Sequence, residues 1–187
     1  MSVAFCREVT SMANRMPKKA LIRVTLIIAV LALVGSALSC DSSLLGEEAP
    51  DFTLGTMTGA NITLSELEGT PVVLNFWATT CPHCLVELPY FEAVAQESAG
   101  EIEVIAINIG QSLSTVQSYF GEYEPTMIVA LDIDGEVFLN YCQEDNPRWY
   151  IPITFLVDSE GTVQHIKIGA FQSQTELWET LDSILGL

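Results

Sequence analysis

Residues 71–84, PVVLNFWATTCPHC, decide how this chain folds. PVVLNFWA (71–78) is an unbroken apolar run of β-forming residues, the pattern of a central strand covered on both faces. TTC follows as a turn, and Pro82 suits the first position of a helix, where its missing N–H would have had no partner. From Pro82 to about Ser98 the residues Leu85, Leu88, Phe91 and Ala95 recur at helical spacing, and Gly100 supplies the end. Strand, turn and helix thus put Cys81 at the mouth of a helix and Cys84 one turn deeper.

Outward from this unit the same alternation continues. Upstream, PDFTLGTMTGANITLSELEG (50–69) holds two short alternating runs, FTL and NITL, around a Gly-containing turn, which predicts a hairpin. Downstream, IEVIAINIG (102–110) reads as a second buried strand, and Ser112 or Ser114 caps a short helix running to Phe120. TMIVALDIDG (126–135) is a third strand, EVFLNY (136–141) a helical turn, and CQEDNPRWY (142–150) a polar, irregular loop. ITFLVDSEGTVQHIKIG (153–169) predicts a hairpin turning at Asp158–Gly161, and Ser173 with Glu176 three residues on predicts a capping box opening the last helix. The expectation is an α/β fold: a mixed central sheet flanked by helices, with an N-terminal β-hairpin extension.

The basic residues are unevenly placed. Five of the seven Lys and Arg lie in the first 23 residues, and VTLIIAVLALVGSALS (24–39) follows without a charge. A basic start, an apolar run and small residues describe an export signal or membrane anchor spanning 1–40. The run is short for a spanning helix, which wants roughly 20 apolar residues. Ala37-Leu38-Ser39-Cys40 resembles a bacterial lipoprotein signal in which Cys40 would be lipidated, although Leu stands one place late. Lipidation, cleavage nearby and a retained anchor all put the remainder outside the cytoplasm, in the cell envelope. Residues 41–49 read as a tether and 50–187 as the domain.

From Cys40 onward, 23 acidic residues face two basic ones, a net charge of −21. Nucleic acid and anionic lipid are poor partners for such a surface. A chain of this length buries roughly 68–70% of its unfolded surface, so its core needs no disulfide.

Three chemistries compete for Cys81 and Cys84. A structural zinc site needs four ligands. Cys6 and Cys40 belong to the signal, and His83 sits between the two cysteines, where it cannot easily join them on one ion. A structural disulfide would close a loop of a few residues and remove little unfolded-state entropy. A redox dithiol suits the local structure: free N–H groups at the helix mouth stabilise a thiolate at Cys81, which attacks a substrate disulfide, and Cys84 resolves the mixed disulfide. No cofactor beyond the two sulfurs is required. His83 either adds positive charge beside the thiolate or is simply solvated. Glu87, three residues after Cys84, shares its helix face and would accept its proton, or else is a surface glutamate. The apolar face around it would raise its pKa.

APDFTL, NITLSELEGTPVVLNFWATTCPHC and IPITFLVDSEGTV together make residues 48–187 resemble the thioredoxin superfamily, and more narrowly its TlpA/ResA-like, membrane-tethered branch grouped with AhpC/TSA and redoxin domains. The resemblance implies a thioredoxin-like fold and a cis Pro152 facing the cysteines. The Ile151 carbonyl would then turn outward for a substrate strand, with Trp77 packed beneath the site and protein thiols or disulfides as partners. It also implies a membrane electron donor of the thiol-reductase type. Thioredoxin's buried Asp is here Asn75, which shifts the base role to Glu87, and the usual Trp before the first cysteine is Thr80. Cys142 is an odd thiol, either free and buried or a third redox participant. The Pro-His pair points to a DsbA-like oxidant, the family to a reductant. A peroxiredoxin-type peroxidase would want one isolated cysteine, and a metal-delivery module wider spacing and a better-placed histidine than His165.

Overall fold

The computed structural model describes residues 44–142 and 150–186. Strands β1 (Thr53–Thr56), β2 (Asn61–Thr63), β3 (Val72–Trp77), β4 (Glu103–Ile109), β5 (Ile128–Asp132), β6 (Ile153–Val157) and β7 (Val163–Ile168) form one sheet in the order β2-β1-β5-β4-β3-β6-β7. Helices α1 (Pro82–Glu97), α2 (Leu113–Phe120), α3 (Glu136–Tyr141) and α4 (Gln174–Leu185) surround it. Strands β3, β4 and β5 are parallel, and β6, β7 and the β1–β2 hairpin are added antiparallel, so the sheet is mixed.

The apolar runs are continuous because both faces of the central strands are covered. Val73 and Trp77 of β3, Val104 and Ala106 of β4 and Leu156 of β6 join a core with Phe91 and Val94 of α1, Val116 of α2 and Leu177 and Leu181 of α4. The alternate residues Leu74, Phe76, Ile105, Ile107, Ile153 and Phe155 pack on the other face against Phe52, Leu64 and the α3 residues Val137, Phe138 and Tyr141. Period-two alternation then places Asn75 and Thr154 on the α1 side of the sheet. They sit directly opposite each other across the β3–β6 pair.

Three details differ from the expectations, and a fourth decides between two candidates. Helix α1 ends at Glu97 with Ser98 as its cap, and the turn beyond uses Ala99 at φ 50° as well as Gly100. An alanine in the left-handed region costs energy that glycine would not. Ser112, not Ser114, caps α2. In α4 the Glu176 N–H bonds the Ser173 hydroxyl at 3.1 Å, as a capping box requires. The Glu176 carboxylate, however, accepts from Gln172 N–H and Lys167 Nζ instead of reaching back to Ser173. Finally, residues 46–49, read as the end of a tether, pair with the start of β7: Gly46 N–H donates to Val163 O, Val163 N–H to Glu47 O, and Ala49 N–H to Gly161 O. No helix among the described residues is long and apolar enough to cross a membrane, and the 24–39 run and Cys40 lie outside them.

Candidate active site

Helix α1 begins on the chemistry. Cys81 is its N-cap, with extended backbone, and Pro82 takes the first helical position. The N–H of Cys84 points at Cys81 Sγ at 3.2 Å, and Leu85 N–H bonds the Cys81 carbonyl. A backbone N–H aimed at the sulfur and the positive end of a 16-residue helix both favour negative charge there. Cys81 and Cys84 are joined as a disulfide. Their surroundings differ: Cys81 is half-buried, whereas Cys84 is sealed in the core. The outer sulfur is the one a partner can reach.

The Ile151–Pro152 peptide is cis, and Cys81 Sγ lies 3.7 Å from the Ile151 carbonyl oxygen. Strand β6, paired antiparallel to β3, brings this segment from 70 residues away to the cysteines. His83 is exposed in the first turn of α1. Trp77 is fully buried against Tyr119 and Phe120 at ring separations of 5.5 and 5.9 Å. It supports the floor of the site and presents no surface to a substrate strand. Cys142 is a half-buried free thiol closing α3, and burial pushes its pKa up to about 12. Such a thiol carries almost no thiolate near neutrality. The rest of the 142–150 loop, residues 143–149, lies outside the described residues.

Glu87 is no surface residue. It is fully buried, on the same face of α1 as Cys84. One carboxylate oxygen accepts from Asn75 Nδ2 at 2.8 Å and the other from the Phe171 N–H at 2.8 Å. Burial raises its pKa to about 7. The two hydrogen bonds and the charge of Lys167 pull against that rise, and Glu176 adds slightly to it. A carboxyl group poised near neutrality beside a thiol suits proton exchange.

Several supporting contacts escape a sequence reading. Gln111 ties the turn ahead of Cys81 to the end of β4: its Oε1 accepts from Thr79 N–H at 2.8 Å and from Asn108 Nδ2 at 2.9 Å, and its Nε2 donates to the Thr79 hydroxyl. Asp132, buried at the end of β5, accepts from the N–H groups of Val137 and Phe138 and so anchors α3. Glu92 on α1 clamps the 123–127 segment. These are polar residues whose partners lie 3 to 35 positions away. The signals available beforehand were Asn75 and Asn108, amides inside otherwise apolar strands.

A two-cysteine turn between a parallel strand and a helix, facing a cis proline, defines a thiol–disulfide oxidoreductase of the thioredoxin-like fold. The Redoxin family matches residues 44–181, and the chain belongs to that family. It is 35% identical over 125 residues to the thiol-disulfide oxidoreductase ResA of Bacillus subtilis, covering 66% of this chain and 67% of ResA. It is 31% identical over 140 residues to the thioredoxin-like protein YneN of the same organism, covering 73% and 78% of the two chains. Among solved structures, a secreted Mycobacterium tuberculosis disulfide oxidoreductase homologous to E. coli DsbE superposes with a TM-score of 0.60 at 27% identity, over 77% of this chain and 99% of that one. The resemblance to the TlpA/ResA-like branch and the thioredoxin-like fold are therefore established, and Cys81 and Cys84 form the redox dithiol.

Proposed function

We propose that this enzyme works outside the cytoplasm, held at the membrane through residues 1–40, and reduces disulfides of exported proteins such as apocytochromes awaiting haem. The single observation that carries the mechanism is the asymmetry of the pair: an accessible Cys81 at a helix mouth, a sealed Cys84, and a buried carboxyl group on the latter's side. In the dithiol form, Cys81 thiolate attacks one sulfur of the partner's disulfide. A mixed disulfide forms and the first partner thiolate leaves. Glu87 takes the proton from Cys84, directly or through one water. The Cys84 thiolate attacks Cys81 Sγ and expels the second partner thiolate. Two electrons pass to the partner, which takes up two protons, and the enzyme is left with the Cys81–Cys84 disulfide. A membrane donor of the thiol-reductase type restores the dithiol.

Ile151 and Pro152 hold the partner's extended backbone alongside the sulfurs, in the manner of strand addition. His83 stands at the rim of that surface. The basic-then-apolar segment ending at Cys40 supports export and tethering, and lipidation of Cys40 is one route to the latter. Cytochrome c maturation is the specific assignment that needs a partner to be identified.

The opposite direction has its own support: the Pro-His dipeptide and the N–H aimed at Cys81 both stabilise the thiolate, which makes a couple more oxidising. The reduction potential of the full chain, equilibrated against glutathione, decides between them. A value near the roughly −270 mV of thioredoxin supports a reductant, and one near the roughly −120 mV of DsbA overturns that direction. Trapping identifies the attacking sulfur. Cys84→Ser should accumulate mixed disulfides with envelope proteins in cells, whereas accumulation with Cys81→Ser instead would reverse the assignment.

A further inference from the structure

The buried carboxyl of Glu87 does not stand alone. Asn75 Nδ2 has two hydrogens, and both are used: one on Glu87 at 2.8 Å, the other on the Thr154 hydroxyl oxygen at 3.0 Å. All three residues are fully buried. The Asn75 Oδ1, equally buried, has no hydrogen-bond partner. A buried amide oxygen without a partner is costly and calls for a reason. The reason is visible in the geometry. An amide can present either its nitrogen or its oxygen to a neighbour. With the oxygen toward Glu87, an ionised carboxylate would meet a second acceptor and could not stay charged. Thr154, directly opposite Asn75 on β6, accepts the second hydrogen of that nitrogen.

We infer that Asn75 and Thr154 are positioning residues for the exchange reaction: Thr154 accepts the second hydrogen of the Asn75 amide and steadies its nitrogen toward Glu87, and that nitrogen keeps the carboxylate available as a proton acceptor. The inference rests on the proposed role of Glu87 toward Cys84, and it explains why an amide occupies this strand position. An aspartate there would set a second negative charge against Glu87, and an apolar residue would leave the carboxyl with the Phe171 N–H against the same burial, which shifts it toward the protonated form. The other groups facing Glu87 are the Phe171 N–H, the cysteine pair of α1, Lys167 of β7 and Glu176 of α4. Lys167 and Glu176 are bonded to each other at 2.8 Å and act on Glu87 with opposite sign. The Asn75–Thr154 pair is thus the adjustable part of the environment.

The test follows the Glu87 side-chain carboxyl carbon by NMR as pH is varied, on the full chain in detergent micelles, alongside the pH profile of mixed-disulfide resolution. Thr154→Val removes the hydroxyl while keeping the shape. It should raise the Glu87 midpoint by about one pH unit, and Thr154→Ser should restore it. Asn75→Ala should raise it at least as far. In each variant the kinetic midpoint should move with the NMR midpoint. A Glu87 midpoint unmoved by Thr154→Val overturns the inference, whatever happens to stability. The underlying reading fails separately: there Glu87→Gln would leave the kinetic profile unchanged, even though the carboxyl of the unmodified chain titrates.

Discussion

Helix α1 carries two buried carboxylates five residues apart, and they are pushed in opposite directions. Glu87 has two donors, Asn75 and the Phe171 N–H, which do not offset its burial, so its pKa rises to about 7. Glu92 is also buried, but it accepts from the Thr126 and Met127 N–H groups, the Tyr123 hydroxyl and Gln96 Nε2. Burial acts on it as well, and those donors outweigh it, holding its pKa below the usual carboxylate value. The residue type and the helix are the same, but Glu87 is more deeply buried and has fewer donors. Glu92 is a charged clamp on the 123–127 segment at neutral pH, whereas Glu87 is left able to gain and lose a proton there.

The largest separation between the two should appear in stability against pH. Glu87 binds its proton more tightly folded than unfolded, so its contribution is fully present below about pH 4.5 and is lost as pH rises through about 7. Glu87→Gln removes that loss, and above pH 7 the variant should be more stable than the parent by about 3 kcal/mol, with no gain near pH 4. Denaturant unfolding of the oxidised form at several pH values measures this. For Glu92 the sign reverses: its contribution is present above about pH 4.5 and is lost as pH falls through its depressed pKa.

Next comes rate. Glu87→Gln should slow resolution of a Cys81 mixed disulfide by about 10²-fold, while Glu92→Gln should leave it nearly unchanged. Stopped-flow quenching of thiols reads both, and equal slowing would erase the difference between the two carboxylates. Glu92→Ala should cost about 2 kcal/mol of stability, because the Met127 N–H loses its partner inside the core whereas exposed Thr126 and Tyr123 can turn to water. The smallest effect belongs to Lys167, the only Lys or Arg among the described residues. Lys167→Met removes a charge that favours ionised Glu87, and should raise its midpoint by less than about one pH unit. A fall instead would mean that Glu176, released from Lys167, has moved away from the site.

Much of the fold was legible beforehand, for identifiable reasons. Strand β3 and helix α1 announce themselves through an apolar run, a proline and helical spacing, all of which are local. The terminal hairpin and helix are equally local. Less legible were Ala99 in a left-handed turn, the 46–49 segment joined to the sheet edge, and the Glu176 carboxylate drawn to Lys167. Each depends on a neighbour that spacing does not reveal. At the site, the two cysteines, the proline and Glu87 could be named in advance. The Asn75–Thr154 pair could not, since its members are 79 positions apart and meet only through strand pairing.

The order of residues along the chain was enough to set which sulfur sits at a helix mouth, because capping and helix polarity act within a few positions. It was also enough to set which strand runs through the centre. Only the folded arrangement decided how readily Glu87 takes a proton. The direction was legible in the apolar helix face around it, but the extent is a balance between loss of water and the donors and charge that strand β3, the segment leading into α4 and Lys167 bring from distant parts of the chain, and no local pattern encodes that balance.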